Sequence, residues 1–182
     1  MKLYFAYGAN LDITNMQWRC PDAVAIQPFH LEDYRLAFSG VATVLPEEHS
    51  RVPGALWAIS EADERALDQF EGWPYLYRKE TIEQDGLEFM VYVMNSTIPG
   101  EPDKSYLDTI TAGYRDWGLA LEDLDVAVQR TLWEIEYDMH SSTTRGIGLD
   151  SYLEELHGGE SGHDLRWLRD HGLADRDTTP VQ

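Results

Sequence analysis

Leu3-Tyr4-Phe5-Ala6-Tyr7-Gly8-Ala9-Asn10-Leu11 decides the fold. Leu3, Phe5 and Tyr7 alternate with Tyr4 and Ala6, and both sets are apolar or aromatic, which is the pattern of a strand buried on both faces. The strand empties into a glycine turn, so a buried β-strand ends in a loop whose backbone can approach a ligand closely. One carboxylate answers it further along the chain. Glu71 lies in Leu67-Asp68-Gln69-Phe70-Glu71-Gly72-Trp73, among apolar and aromatic side chains. A polar loop and a carboxylate in apolar surroundings make a minimal acid/base site. Taken alone, a glutamate just before a capping glycine reads as a solvated helix end.

The remaining elements follow in order. Asp12 is an N-cap for a short helix through Met16 to Arg19, and Pro21 ends it. Ala23 to Phe38 is β-type, with a break expected at Gln27-Pro28. Val41–Leu45 reads as a strand, Pro46–Ser50 as a polar loop and Gly54–Ile59 as a strand. Ser60 caps a helix to about Phe70, with Asp63 at its third position and Ala62, Ala66, Leu67 and Phe70 on one face. Gly72 suits the C-terminal cap, and Pro74 prevents the helix resuming. Tyr77–Glu83 and Leu87–Asn95 form a hairpin around Gln84-Asp85-Gly86. Helices follow at 105–117 and 121–137, and a short one is expected at 164–171. Strands precede helices, which predicts an α+β fold rather than a doubly wound sheet. The expected organisation is a domain over 1–120, a helical acidic extension over 121–172 packed on it, and a flexible tail over 173–182.

The chain has 182 residues and a net charge of −19, with three Lys and eleven Arg. That charge argues against nucleic acid and anionic lipid, both of which need positive surface. It reads as a solvated acidic surface, and adaptation to high salt is the sharper alternative. No stretch approaches the ~18 apolar residues of a membrane span. Met1-Lys2 runs straight into the first strand without the apolar run of a secretory signal. The single cysteine, Cys20, fits a reducing compartment, so a cytoplasmic location is expected. Asp123, Asp125 and Glu134 mimic the ends of a calcium loop, but Val128 stands where glycine is needed. His157, Glu160, His163 and Asp164 lie in a Gly-rich segment unlike a helical zinc motif. No metal site is therefore expected.

Five motifs in order over roughly residues 2–120 resemble the γ-glutamylcyclotransferase-like family, which includes the AIG2-like proteins. They are Tyr7-Gly8-Ala9-Asn10 after the first strand; Gly40-Val41-Ala42-Thr43-Val44; Gly54-Ala55-Leu56-Trp57; Leu67 to Gly72 as the family's Leu-Asp-x-x-Glu-Gly; and Tyr77-Arg78, followed by Val91-Tyr92-Val93 and Tyr106. The resemblance implies a small mixed β-barrel flanked by helices. It implies a γ-glutamyl amide as substrate, cleaved by its own α-amine with release of 5-oxoproline and a free amine. Glu71 would be the catalytic residue. Substrate contacts would come from Tyr7, Gly8, Ala9, Asn10 and Leu11, from Thr43, and from Tyr77, Tyr92 and Tyr106. Taken singly, each of these tyrosines reads as core packing. No metal or organic cofactor is required. Phe70 and Trp73 are expected to supply the apolar surroundings that raise the Glu71 pKa, and Asp68 reads as structural. Ala9 departs from the motif serine. Two further readings are a non-catalytic binding module of this fold and an enzyme acting on another amide, such as a γ-glutamylamine.

Overall fold

The computed structural model describes residues 1–143, with side chains to residue 138. The helix expected at 164–171, the His157–Asp164 cluster and the tail from 173 lie outside the described residues.

One mixed sheet carries the fold, in the order β2-β3-β1-β5-β4. The central strand is β1 (Lys2–Ala6), whose Tyr4, Phe5 and Ala6 are buried. It pairs antiparallel with β3 (Ala42–Ile59) and parallel with β5 (Leu87–Met94). The outer strands are β2 (Val24–Phe38) and β4 (Tyr77–Gln84). Both faces of β1 are apolar because it has a strand on either side and a core on either face. The expected α+β class holds, but the expected barrel is not closed by a strand ladder. The two edge strands are instead joined through one side-chain amide: Gln84 accepts from the Glu32 N–H at 3.0 Å and donates to the His30 carbonyl at 2.9 Å.

The expected loop at 46–50 is absent, and so is the break at Gln27-Pro28. Residues 42–59 form one strand paired with β2 along its length, with irregularities between Ala25 and Gln27 and between Glu32 and Tyr34. Three facts reconcile the polar sequence with a strand. Asp33 and His49 take positive φ, and the Asp33 carboxylate accepts the His49 N–H at 2.9 Å. Glu47 is paired by Arg130, which donates to both its oxygens at 2.8 and 2.6 Å. Pro46 and Pro53 lie opposite Tyr34 and His30 within the register. The β4–β5 turn is as expected, with Asp85 and Gly86 both at positive φ, the requirement of a type I′ hairpin.

Helix α1 (Ile13–Arg19) is capped by the Asp12 side chain, which accepts from the Asn15 N–H. Helix α2 (Glu61–Phe70) opens with the full capping box of Ser60 and Asp63. Its inner face is Asp63 and Leu67, with Ala66 beside them. Ala62 and Phe70 are exposed, contrary to the expected apolar face. Helix α3 (Lys104–Asp116) backs the Gly8–Leu11 loop, and helix α4 (Leu121–Thr143) buries Leu124, Ala127 and Thr131. Asp123, Asp125 and Glu134 all stand on α4, in no loop at all.

Gly113 is where α3 touches the loop. A Cβ there would lie 2.4 Å from the Leu11 Cβ and 2.7 Å from the Asp12 nitrogen. On an open helix face Gly→Ala gains about 1 kcal/mol. Gly113→Ala is expected to lose ~1–3 kcal/mol instead, as in overpacked cores, when measured by urea unfolding. A gain would mean that the α3–loop contact yields freely.

Candidate functional site

The site begins at the end of β1. After Tyr7 the chain makes a single 3₁₀ turn, Ala9–Leu11, closed by the Leu11 N–H on the Gly8 carbonyl at 3.0 Å. Gly8 has φ −119°, so its glycine is not required by a left-handed backbone. Space is the constraint. A Cβ on Gly8 would lie 3.1 Å from the Tyr106 hydroxyl and 3.2 Å from the Ala42 Cβ. The turn is pinned from behind by Trp117, whose indole N–H donates to the Leu11 carbonyl at 2.8 Å. Asp116 adds a second tie by accepting the Ile13 N–H at 3.1 Å. The turn thereby presents Asn10, nearly fully buried, toward the end of α2.

Glu71 is the C-cap of α2. Gly72 follows at φ +63°, and the Trp73 N–H returns to the Asp68 carbonyl at 2.9 Å, while the Gly72 N–H returns to Gln69 at 3.4 Å. This left-handed glycine termination fixes where the Glu71 side chain leaves the helix. The Asn10 amide donates to the Glu71 carboxylate at 2.7 Å and to the Tyr4 hydroxyl at 2.8 Å. Arg19, at the end of α1, donates to the Asn10 carbonyl oxygen and lies 3.4 Å above the Phe70 ring.

Burial pushes the Glu71 carboxyl up to about 7, against the opposing pull of the Asn10 hydrogen bond and the Arg19 charge. Its place at a helix C-terminus, where the last carbonyls converge, disfavours the anion further. Phe70 and Trp73, expected to supply the apolar surroundings, are not enclosed with the carboxyl. Both are about half exposed. Phe70 lies under Arg19, and Trp73 lies under Lys79, whose Nζ is 4.7 Å from the ring centre. Five tyrosines feel its charge: Tyr4 of β1, Tyr7 just after that strand, Tyr77 of β4, Tyr92 of β5 and Tyr106 of α3. All have pKa values raised, by burial first and by the Glu71 charge among the lesser causes. They therefore stay neutral phenols.

Their hydroxyls are committed within the protein. Tyr7 donates to the Tyr92 carbonyl at 2.6 Å, and Tyr77 donates to the Ala42 carbonyl at 2.7 Å. Tyr106 accepts the Ala42 N–H at 3.0 Å and also meets the Ala9 amide. Tyr92 donates to Asp68 at 2.6 Å, and Asp68 pairs with Lys79 at 2.7 Å. Thr43 is buried, and its hydroxyl accepts the Met94 N–H at 3.1 Å. The fold thus brings Asn10 of the turn onto the Glu71 carboxylate and sets Tyr7, Tyr77, Tyr92 and Tyr106 within its electrostatic reach. Thr43 serves as a tie between β3 and β5. Two residues at the site went unnoticed in sequence, Tyr4 and Arg19. Tyr4 sits three residues before Tyr7 with an identical claim to being core. Arg19 is an ordinary helix-end cation until α1 is folded against α2.

Among the described residues, no three His, Cys, Asp or Glu side chains converge as a metal site, and no helix is long and apolar enough to cross a membrane.

Residues 4–117 match the family model described as gamma-glutamyl cyclotransferase, AIG2-like. The chain is 30% identical over 138 residues to the Bos taurus protein named gamma-glutamylcyclotransferase, covering 66% of this chain and 73% of that one. The Homo sapiens protein of the same name is 28% identical over the same spans. A solved structure named gamma-glutamyl cyclotransferase superposes with a TM-score of 0.58 at 24% identity, covering 66% of this chain and 82% of that one.

The raised Glu71 pKa carries a stability signature. The folded protein holds a proton that the unfolded chain, with the ordinary value of 4.5, has released between pH 4.5 and about 7. Stability tied to Glu71 is therefore present below about pH 4.5 and lost as pH rises through 7. Glu71→Gln, which is neutral throughout, is expected to match the parent near pH 4 and exceed it by roughly 3 kcal/mol at pH 8, measured by denaturant unfolding at both values. An equal effect at the two pH values would mean that the carboxyl is not desolvated.

Proposed function

Because the chain belongs to the gamma-glutamyl cyclotransferase, AIG2-like family, we propose that it cleaves a γ-glutamyl amide by intramolecular attack, releasing 5-oxoproline and an amine, with Glu71 as base and then acid. One observation carries this reading. A carboxyl raised to about 7 is held by a side-chain amide from the Gly8–Leu11 loop. A group with a pKa near the working pH can both take and return a proton.

The substrate's α-ammonium loses a proton to the Glu71 carboxylate. The freed amine attacks the γ-carbonyl carbon, and a new C–N bond closes a five-membered ring. The carbonyl electron pair moves to oxygen, making a tetrahedral oxyanion. When that pair returns, the original amide C–N bond breaks and Glu71–H protonates the departing nitrogen; the second proton of the ring nitrogen then passes through the regenerated Glu71 carboxylate to the released amine, which leaves as an ammonium. No net proton is consumed, and no redox partner or hydrolytic water is needed. Ring closure is intramolecular, and good orientation lowers such barriers by ~7–11 kcal/mol. The protein therefore needs only proton transfer, positioning and oxyanion donors. The Asn10 N–H and the Ala9 N–H supply the donors in this reading, the latter by exchanging the Tyr106 hydroxyl for the oxyanion. Nothing in this sequence of steps calls on a metal or an organic cofactor.

Ala9 in place of the motif serine is compatible with binding through backbone groups, since alanine retains the N–H. The substrate contacts are assigned to Gly8, Ala9 and Asn10, with Tyr7, Leu11, Tyr77, Tyr92 and Tyr106 shaping the pocket wall.

The test is a panel of γ-glutamyl amides assayed for 5-oxoproline. Turnover is expected with at least one member, and Glu71→Gln is expected to lower it by at least ~10²-fold. Near-parental turnover in folded Glu71→Gln would remove the residue from this role. Gly8→Val is expected to abolish binding of a non-reactive substrate analogue, because the side chain would enter the space between Tyr106 and Ala42. Ala9→Ser is expected to leave binding unchanged or improved. Full binding by a folded Gly8→Val protein would place the substrate elsewhere.

A further inference from the structure

We propose that Arg19 is a positioning residue that fixes the orientation of the Asn10 amide and through it holds the Glu71 carboxyl in register for proton transfer. The inference rests on the proposed role of Glu71.

Asn10 has one carbonyl oxygen and one amide nitrogen, and the two faces of its side chain are not interchangeable. The nitrogen meets the Glu71 carboxylate and the Tyr4 hydroxyl, and the oxygen meets Arg19. A guanidinium has donors only, and a carboxylate has acceptors only. Turning the amide over would set oxygen against carboxylate and NH₂ against guanidinium. Arg19 therefore dictates which end of Asn10 faces Glu71. Asn10 is nearly fully buried, so water cannot take over that instruction.

Arg19 is itself held for this purpose. Its planar head stacks on Phe70, the residue before Glu71, so the reference point moves with the end of α2. Its Nε is buried without a hydrogen-bond partner, and burial lowers the guanidinium pKa despite the neighbouring Glu71 charge. A buried donor left unsatisfied has a cost, and here it accompanies the Nη1 contact to Asn10. Three elements, α1, the 3₁₀ turn and α2, thereby meet through two polar side chains.

The other titratable groups facing Glu71 are Tyr4 from β1, Tyr7 just after it, Tyr77 from β4, Tyr92 from β5 and Tyr106 from α3. All are neutral phenols in this range. Arg19 is the cation acting on the carboxyl, and the Asn10 bond is the other influence that favours its anion.

The experiment is the pH titration of the Glu71 side-chain carboxyl by ¹³C NMR in the full chain without substrate, assigned with Glu71→Gln. The parent is expected to titrate near 7, and Arg19→Met at ~8 or above, since an adjacent opposite charge lowers a carboxyl by 1–3. Turnover by Arg19→Met at pH 7 should then fall ~10-fold and recover toward pH 9, with KM changed less than threefold. Arg19→Lys, which keeps charge and donors, should titrate nearer the parent. Asn10→Ala cuts the same link from the other side and should also raise the Glu71 titration. In that background Arg19→Met should add less than half of what it adds alone. A Glu71 titration that stays near 7 in folded Arg19→Met overturns the proposal. Should Arg19→Met fail to fold, an unmoved titration in Asn10→Ala overturns it equally. The titration is read without substrate, so a failure of cyclotransferase turnover is a separate result.

Discussion

A carboxyl withdrawn from water, yet tied by one amide to a loop from another part of the chain, is the constraint on which the rest of this structure depends. The Asn10–Glu71 bond spans 61 positions in sequence. To form, it needs β1 at the centre of the sheet, the 3₁₀ turn in place after it, and α2 ending at Glu71 and nowhere else. Each requirement has its own device. The strand is buried on both sides. The turn is pinned by Trp117 and Gly113 of the α3 region. The helix is stopped by Gly72 in a left-handed conformation. Removing any one would leave the carboxyl either solvated or unpartnered.

The same constraint explains why so many tyrosines surround the site. A wall of Phe would desolvate Glu71 as well, but it would leave neighbouring backbone groups unsatisfied. Tyr7 and Tyr77 desolvate with their rings and serve buried carbonyls with their hydroxyls. Tyr106 does the same for the Ala42 amide. The wall is thus rigid because its polar tips are used, and a rigid wall holds the carboxyl's environment constant.

What was legible in sequence was local. The Tyr7–Leu11 break, the Ser60/Asp63 capping box, the Gly72 stop and the Asp85-Gly86 turn are each written in a few adjacent residues. Short-range physics governs them. What was not legible needed a partner from elsewhere. Residues 46–50 read as a loop because the Arg130 that neutralises Glu47 is 83 positions away. Phe70 and Trp73 read as the shield of Glu71 from adjacency in sequence, yet both are about half exposed, and the buried tyrosines coupled to Glu71 come from distant elements. Arg19 read as a helix-end charge for the same reason. The barrel expectation stopped one interaction short, because the two sheet edges meet through the Gln84 side chain rather than through a ladder.

The central claim is that one desolvated carboxyl governs both halves of the reaction. The most direct test is the pH dependence of kcat/KM for 5-oxoproline release, set beside the Glu71 titration measured on the same protein. The account predicts an ionisation near pH 7 in the rate profile that coincides with the titration of Glu71. A profile that is flat through this range, or that bends at a pH where Glu71 does not titrate, would contradict it.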